Sequence, residues 1–585
     1  MSAKIKTVFK AVIKAPEFYI AIVMAVCLSL FWSGYIAIKD VSLNSEGTTL
    51  PIIKKFGQGE VFNVKFSLVG DLDQNYMLRI IPDDCVQKIN VNGNELNLQG
   101  RSGLCDYGRG FALWGAEVRN LGVTRRADFE IEIVNRGGDG GIKVSTEVPE
   151  HSMRRVLVIL LAVLSALLTF FACKRARVNM GIAVVLALGV ALRMGFSLDL
   201  PRYDKFGYDV DGHVAYVNYI AEHWKVPTVD DCWTCYHPPV YYALSVPAWK
   251  AGEVMGISGA SALNAESFLL SVALLIIGFA FFSNIMKGPP LVCATVLLAF
   301  WPMLVLAAPR IGNDQMFYLL HGLCLWLGVK YLNGGRGKYI LAAAVVTALA
   351  FWTKSLGVVT IGTWLFFALF GYVNNARSLK PQKTEIAGWL FFGATVIAIV
   401  IMKLVGDSAL VGNASGLNSA LRVGNEPGNY LFFDLKTFIT EPYTSAWQDE
   451  LGRQYFWNYA MKSSLFGEFK LLQQGAGPLL ATLISISFLW LVVCGIRGFW
   501  RQKLGIVTVA LAVQIVAFFA ALMYLRISFP YSCSNDFRYI APVLLSFIPF
   551  AAMGIHAQKA SPKWVVMGWL AVICFAVCSA ALMLI

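Results

Sequence analysis

Charged residues are scarce in this chain of 585 residues. Aspartate, glutamate, lysine and arginine together make up 15% of it, whereas a soluble globular protein carries about 25%. Hydrophobic residues make up 57%, and many apolar runs reach the ~20 residues that cross ~30 Å of hydrocarbon. The composition therefore excludes an ordinary soluble fold and indicates a membrane protein.

Nucleotide-binding signatures are also missing. The sequence contains no G-x-x-x-x-G-K-[ST] loop, and no dinucleotide-type glycine motif follows a strand on the predicted cytoplasmic side. The net charge is +13, but the basic residues fall in short loops between apolar runs, where they set the topology. We therefore predict no nucleic-acid partner and no nucleotide or other soluble cofactor.

Apolar runs of membrane-spanning length predict thirteen transmembrane helices. Lysine and arginine gather in alternate loops, and Glu385 is the only acid among those loops, which indicates a cytoplasmic N-terminus. We therefore expect a multi-pass protein of a bacterial-type inner membrane with its large loops in the periplasm. The predicted spans lie near 17–38, 153–172, 180–198, 262–285, 290–308, 316–333, 338–353, 357–373, 387–404, 476–499, 504–526, 541–557 and 564–585.

No complete set of metal ligands is visible in the sequence. Cys232 and Cys235 form a C-x-x-C that has no second copy, and His237 is the only further candidate nearby, whereas a structural zinc site needs four ligands. A local disulfide is therefore favoured over metal. Cys85 and Cys105 flank a predicted hairpin in an outward-facing segment, where a disulfide persists, and we predict a second bridge between them. A divalent metal stays an open alternative that no motif supports.

The chain divides into three segments. Residues 1–39 hold a retained anchor helix, because its apolar stretch is too long for a signal peptide and no A-x-A site follows. Residues 40–150 contain runs of alternating apolar and polar residues, and Asn92-Gly93 is typical of a type I′ hairpin turn. We predict an all-β sandwich there, and a membrane-embedded catalytic region over 151–585. The strings VQKINVNGNELNL and CDYGRGF are similar to those of galactose-binding-like jelly rolls, with a structural cap that binds no ligand as an equal alternative.

Polar side chains gather in the predicted outer loops, among them 199–261, 405–475 and 527–540. Ionisable residues held against a bilayer are costly, so they mark chemistry or transport. A carboxylate can take the proton of an acceptor hydroxyl, and lysine and arginine can hold a departing phosphate. The candidates are Asp209, Asp211 and His213 for catalysis, and Asn313, Asp314, Lys354, Glu468, Arg538, Tyr539, His237 and Tyr241 for binding the donor phosphate or the substrate.

Four motifs resemble the GT-C superfamily of polytopic glycosyltransferases, which use polyprenyl-phosphate sugars. They are YDVDGHVAYVNYI, CYHPPVYYAL, RIGNDQ and DFRYIAP, and their order and spacing match the family over roughly 180–545. The family includes the protein O-mannosyltransferases and the aminoarabinose transferases of lipid A. The resemblance implies inverting transfer of a sugar from a polyprenyl-phosphate donor to a hydroxyl of a glycan, lipid or protein acceptor on the periplasmic face.

Site residues follow from this resemblance by position. The family's first outer-loop acid falls on Asp209, which the resemblance makes the base or its orienter, and Asp314 matches the family's second outer acid or amide region. Lys354 and Arg538 would bind the donor phosphate, with Tyr539 packed beside them. The family often has Asp-Glu in the first motif, whereas this chain has Asp-Val-Asp, so which of the two aspartates takes the acceptor proton stays open.

Other functions stay open as alternatives. An O-antigen-ligase-like enzyme or a phosphotransferase could use similar chemistry on a lipid-linked donor. A secondary transporter would place ionisable residues near mid-span and often show inverted repeats, and neither pattern is visible here. A sugar-sensing or scaffold protein would bind through its β domain and would not need Asp209, Asp211, Lys354 and Arg538 on one face.

Overall fold

The computed structural model describes most of the chain. Its described residues are 16–33, 37–48, 52–55, 57–69, 77–82, 85–95, 116–119, 126–135, 139–147, 152–199, 209–228, 231–232, 234–255, 257–334, 337–375, 383–405, 423–443, 455–469, 471–472, 474–501, 505–531, 533–557 and 560–584.

Helices dominate these residues. They are α1 Pro16–Ser33, α2 Ser152–Arg175, α3 Met180–Asp199, α4 Val210–His223, α5 Val240–Met255, α6 Gly259–Ile285, α7 Pro289–Phe300, α8 Pro302–Leu306, α9 Asn313–Gly334, α10 Gly337–Thr353, α11 Val358–Asn375, α12 Lys383–Val405, α13 Pro427–Leu431, α14 Leu435–Thr440, α15 Phe456–Phe466, α16 Gly477–Arg501, α17 Ile506–Ser528, α18 Leu544–Ile555 and α19 Pro562–Leu584. Two 3₁₀ helices, Ser355–Gly357 and Phe537–Val543, precede α11 and α18.

A helix lies at each of the thirteen predicted span positions. Among the described residues, seven helices are long and apolar enough to cross a membrane, judged by length and composition. The predicted polytopic α-helical class is therefore confirmed, while the number of thirteen crossings and their orientation stay predictions.

The fifth predicted span is wrong in one respect. A continuous helix was expected over 290–308, but α7 ends at Phe300 and α8 begins at Pro302. Proline has no N–H to continue a helix and pushes the residue before it towards extended backbone, and Trp301 has φ −64° and ψ 118°. Asn313 begins the next helix, α9, where the acidic Asp314 of the first turn suits the positive helix end.

Ten strands form the segment between α1 and α2. They are β1 Ala37–Leu43, β2 Glu46–Gly47, β3 Ile52–Lys55, β4 Val61–Val69, β5 Met77–Pro82, β6 Cys85–Val91, β7 Asn94–Glu95, β8 Ala116–Arg119, β9 Arg126–Val134 and β10 Asp139–Glu147 among the described residues. One sheet has the order β2-β1-β4-β9-β6-β7 and the other β3-β10-β5-β8. The strand β1 begins at Ala37, inside the segment predicted as the anchor.

The two sheets share one hydrophobic core. Phe66 and Phe129 stack in it with ring centroids 4.9 Å apart, and Ile80 and Ile142 join it from the second sheet. Alternating residues of β9 are buried, as a half-buried strand requires. The predicted sandwich of two sheets is thus present, and its assignment to the jelly rolls stays a prediction.

The helical region packs closely enough to bury polar side chains. Arg193 in α3 is 1% exposed, and its guanidinium donates to the carbonyl of Ala299 at 2.7 Å and to Ser271 Oγ at 3.1 Å. A Cβ added at Gly554 would lie 1.8 Å from the carbonyl oxygen of Cys494, so glycine lets the backbones of α16 and α18 touch. This rigid frame fixes the helix ends that carry the candidate site.

Candidate active site

Asp209 stands immediately before α4, in left-handed backbone with φ 53° and ψ 26°. This conformation is uncommon for any residue but glycine, and aspartate tolerates it better than most. The Asp209 side chain is 35% exposed, and its Oδ2 lies 3.5 Å from Nη2 of Arg538. The structure thus joins the first predicted motif to the last across most of the chain.

Arg538 lies in a 3₁₀ helix whose first turn also fixes its surroundings. Oδ1 of the preceding Asp536 accepts the Arg538 backbone N–H at 2.8 Å, and its Oδ2 lies 3.8 Å from the guanidinium Nε. The guanidinium, only 8% exposed, donates from Nη2 to the hydroxyl of Tyr539 at 3.1 Å. Tyr318 of α9 donates its hydroxyl to the Arg538 carbonyl. Both the backbone and the side chain of this arginine are therefore held in place.

Lys354 provides the second cation of the site. It stands between α10 and a 3₁₀ helix, and it forms an ion pair with Asp314 in the first turn of α9. Its Nζ lies 4.9 Å from the ring centroid of Tyr539, and the guanidinium carbon of Arg538 also lies 4.9 Å from that centroid. Asn313 donates to the carbonyl of Thr353 at 3.1 Å, which fastens the beginning of α9 to the end of α10. One tyrosine ring thus adjoins both cations.

A stack of aromatic rings lies behind Asp209. Nδ1 of His213 is 2.7 Å from the hydroxyl of Tyr242, and the rings of His213 and His237 stack at 5.6 Å. Tyr216 stacks on Tyr242 at 3.7 Å and donates to the carbonyl of His237 at 3.2 Å. Burial lowers the pKa of His213 to about 4 and places the pKa of His237 well below its ordinary value of 6.5. Both imidazoles are therefore uncharged at neutral pH.

Gly312 closes this stack from the side of α9. Its φ is +153°, and a Cβ there would meet Nε2 of His213 at 3.2 Å. Its N–H donates to the hydroxyl of Tyr241 at 3.2 Å. Glycine is needed here because the backbone approaches the imidazole closely in a conformation that other residues rarely adopt.

Glu468 lies two residues after the end of α15. Burial, together with the nearby charge of Asp536, raises its pKa to about 8. A disulfide joins Cys232 to Cys235 just before His237. Cys85 is also disulfide-bonded, and its predicted partner Cys105 lies outside the described residues.

The structure brings together most of the residues that were selected from the sequence. Asp209 pairs with Arg538 and Asp314 with Lys354, and both cations adjoin the ring of Tyr539. His213 stacks on His237, Tyr241 accepts from Gly312, and Glu468 is near enough to Asp536 and Arg538 for their charges to act on its pKa. Asp211 lies in the first turn of α4, and its side chain is outside the described part of the structure.

Sequence reasoning missed four residues that shape this site. They are Asp536, Tyr242, Gly312 and Tyr318. Three of them lie inside motifs that were quoted without selecting the residue: Asp536 in DFRYIAP, Gly312 in RIGNDQ and Tyr242 in CYHPPVYYAL. Tyr318 lies one helical turn after Asp314. Within the described ranges, no group of three or more histidine, cysteine, aspartate or glutamate residues could hold a metal ion.

Comparisons with known proteins give distant structural similarities. No family model and no curated protein sequence matches the chain. A crystal structure of an oligosaccharyltransferase from Archaeoglobus fulgidus matches with 13% identity and a TM-score of 0.41, over 69% of this chain and 56% of that one. The oligosaccharyltransferase AglB from the same organism, in complex with an inhibitory peptide and a dolichol-phosphate, matches with 13% identity and 0.41, over 70% and 56%.

The arabinosyltransferase EmbB from Mycobacterium smegmatis matches with 12% identity and a TM-score of 0.30, over 95% of this chain and 65% of that one. The chain therefore spans a little over half the length of the oligosaccharyltransferases that it matches. These neighbours are membrane glycosyltransferases of the GT-C superfamily. With TM-scores below 0.5, the similarities decide neither the fold nor the function of this chain.

Proposed function

We propose that this protein is an integral-membrane glycosyltransferase. It moves a sugar from a polyprenyl-phosphate donor to a hydroxyl of a glycan, lipid or protein acceptor at the periplasmic face of the inner membrane. The observation that supports this most is the meeting of two cations at one tyrosine: Lys354 and Arg538 each lie 4.9 Å from the ring centroid of Tyr539. A carboxylate, Asp209, adjoins the same guanidinium.

The two cations suit the phosphate of the donor. Each lies 4.9 Å from the centroid of one ring, so the two cations are at most about 10 Å apart. Phosphate oxygens accept charge-assisted hydrogen bonds from both arginine and lysine. Arg538 offers a planar fork and Lys354 a point charge, a pairing that orients a phosphate as well as attracting it. The prenyl chain would then extend into the bilayer beside the helix ends.

Asp209 is the proposed base. The acceptor oxygen forms a bond to the anomeric carbon while the bond from that carbon to the phosphate oxygen breaks. The phosphate leaves with the bonding electron pair, and the hydroxyl proton moves to Asp209. Because a phosphate leaving group needs no general acid, one base is enough for an inverting displacement. Asp211 is the second choice for this role.

His213 takes a supporting role in this proposal. It is 5% exposed, its Nδ1 is 2.7 Å from Tyr242, and Gly312 lies against its Nε2. An uncharged imidazole enclosed on both nitrogens is suited to holding the beginning of α4, and with it Asp209, rather than to moving the acceptor proton.

The proposal is tested by following the lipid product. The purified chain is reconstituted in vesicles and given polyprenyl-phosphate sugars with acceptor extracts, and the released lipid is identified by mass spectrometry. We expect polyprenyl monophosphate, formed only when an acceptor is present. Release of a polyprenyl diphosphate from a diphosphate-linked donor would instead indicate a ligase-like enzyme, and consumption of neither donor would contradict the proposal.

A further inference from the structure

Two adjacent tyrosines of α5, Tyr241 and Tyr242, are completely buried, and the proposed reaction gives neither of them a role. Successive residues of a helix are turned by about 100°, so neighbouring side chains contact different parts of the structure. The two rings form a T-shaped pair with centroids 5.1 Å apart. Their hydroxyls connect α5 to two separate helices of the candidate site.

The Tyr242 hydroxyl contacts the first turn of α4. It lies 2.7 Å from Nδ1 of His213, and the His213 backbone N–H donates to the Asp209 carbonyl at 3.1 Å. The Tyr242 ring is itself held, because Tyr216 stacks on it with centroids 3.7 Å apart and donates its hydroxyl to the His237 carbonyl. Tyr242 thus fixes the helical turn that carries the proposed base.

The Tyr241 hydroxyl contacts the residue just before α9. It accepts the backbone N–H of Gly312 at 3.2 Å. Two residues later, Asp314 in the first turn of α9 forms an ion pair with Lys354, one of the two cations proposed to bind the donor phosphate. Tyr241 thus fixes the helix start that holds this cation.

The two contacts meet at Gly312. A Cβ at this position would lie 3.2 Å from Nε2 of His213, so the backbone before α9 adjoins the imidazole that Tyr242 holds. Tyr241, Gly312, His213 and Tyr242 therefore form a closed ring of contacts between α4, α5 and α9. Such a supporting shell holds reacting groups at a fixed distance.

We propose that Tyr241 and Tyr242 are positioning residues for the two halves of the active site. Tyr242 aligns Asp209 to accept the proton of the acceptor hydroxyl. Tyr241 aligns the Lys354–Asp314 pair to bind the donor phosphate. This inference rests on the proposed function. Complete burial keeps both hydroxyls away from the substrate, so neither tyrosine is a catalytic residue in this account.

The test removes one hydroxyl at a time from the full-length chain and follows two quantities. The affinity of the purified chain for farnesyl phosphate reports on the donor-phosphate half of the site. The kcat in vesicles, at saturating polyprenyl-phosphate sugar with acceptor extract, reports on the transfer step. A change confined to one quantity identifies the half of the site that a residue supports.

Tyr242→Phe should lower kcat about 10- to 100-fold, because a small misalignment of the base is costly. It should leave the farnesyl phosphate affinity unchanged, because Arg538 keeps its contacts with Tyr539 and Asp536. Tyr241→Phe should instead weaken farnesyl phosphate binding about three- to tenfold, which corresponds to one lost hydrogen bond, with the smaller effect on kcat.

Tyr331→Phe is the matched control. Tyr331 is 1% exposed, and its hydroxyl donates to Oε1 of Glu385 at 2.9 Å. It lies in the same helix as Asp314, about 25 Å further along the axis. This variant also loses a buried hydroxyl contact, so its melting temperature should fall as in the other two variants while kcat and farnesyl phosphate affinity stay unchanged.

Combined variants show whether each tyrosine acts through its proposed partner. In a chain that carries Lys354→Met and Asp314→Asn, adding Tyr241→Phe should weaken farnesyl phosphate binding no further. In Asp209→Asn, adding Tyr242→Phe should lower kcat no further. A purely structural role would produce the same loss in both backgrounds.

The outcomes separate this inference from the proposed function. Equal effects of both variants on kcat and on binding, or effects no larger than those of Tyr331→Phe, would overturn the inference. If the wild type binds farnesyl phosphate and releases polyprenyl monophosphate while the variants show no such separation, only the roles of the two tyrosines are wrong. If the wild type fails either measurement, the proposed function is wrong, and this inference fails with it.

Discussion

The substitution Arg538→Lys keeps a positive charge at the site and removes the planar fork. A lysine ammonium has three donors, whereas the guanidinium has five. In the structure Nη2 of the guanidinium donates to the Tyr539 hydroxyl at 3.1 Å and lies 3.5 Å from Oδ2 of Asp209. Its Nε lies 3.8 Å from Oδ2 of Asp536. An ammonium at this position cannot reach all three groups and a phosphate as well. We therefore expect the loss of at least one charge-assisted hydrogen bond to the donor.

The magnitude follows from that single loss. A hydrogen bond to a charged group is worth about 1.5–3 kcal/mol, which corresponds to about a 10- to 150-fold lower kcat/KM for the donor. Because the charge is kept beside Asp209 and Asp536, the large cost of an uncompensated buried carboxylate does not arise. The assay is donor titration at saturating acceptor, with melting temperature and protein level measured in parallel.

Lys354→Met extends the test to the second cation. It keeps an apolar side chain of similar length and removes the charge that lies 4.9 Å from the Tyr539 centroid. Asp314→Asn is added so that no carboxylate is left unpaired. If Arg538 and Lys354 hold the same phosphate, the combined variants should deviate from additivity by about 0.5–3 kcal/mol. Arg175→Lys, at the far end of α2 with a side chain 66% exposed, is the control and should change nothing.

Two results would refute this reasoning. Additive effects within about 0.5 kcal/mol would mean that the two cations have no common ligand. An unchanged kcat/KM for the donor in Arg538→Lys, at equal expression and stability, would mean that the planar guanidinium of Arg538 is not needed to bind the donor phosphate. In either case the ion pairs Lys354–Asp314 and Arg538–Asp209 beside Tyr539 would have a structural role only.

Three further predictions concern stability and the walls of the site. Gly312→Ala should cost about 1–3 kcal/mol of unfolding free energy and lower turnover by displacing His213. Gly362→Ala, inside α11 with open space around it, is the control and should leave the melting temperature unchanged or slightly raised, because alanine favours a helix more than glycine. Removing the Cys232–Cys235 bridge by paired serine substitution should cost about 2 kcal/mol; an unchanged melting temperature would show that the bridge is dispensable. Because the folded pKa of Glu468 is about 8 and its ordinary value 4.5, wild-type stability should fall from pH 5 to 8 relative to Glu468→Gln, and a constant difference in melting temperature would contradict that pKa.

Local patterns in the sequence predicted the elements well. The alternation at Phe129, Ile131 and Ile133 is found as buried positions of β9, and Asn92 and Gly93 both have positive φ in the predicted hairpin turn. These features depend on neighbouring residues only. The helix break at Trp301-Pro302 was also predictable, because proline interrupts a continuous helix there. The long apolar run around it led instead to the prediction of one continuous span.

The candidate site could be predicted only in part. The residue types of Asp209 and Arg538 indicated chemistry, but their ion pair joins distant parts of the chain, and no local pattern encodes which helix ends meet. The left-handed backbone of Asp209 and the position of Gly312 against His213 result from tertiary packing.

The most direct test of the central claim is the turnover of Asp209→Asn. The substitution keeps the shape of the side chain and removes its ability to accept a proton. With the reconstituted protein, a polyprenyl-phosphate sugar and its acceptor, we expect transfer to fall roughly 10²–10⁴-fold at unchanged protein level and melting temperature. The same measurement on Asp211→Asn decides between the two aspartates. Near-normal transfer by both variants would contradict a carboxylate base at this site, and with it the proposed mechanism.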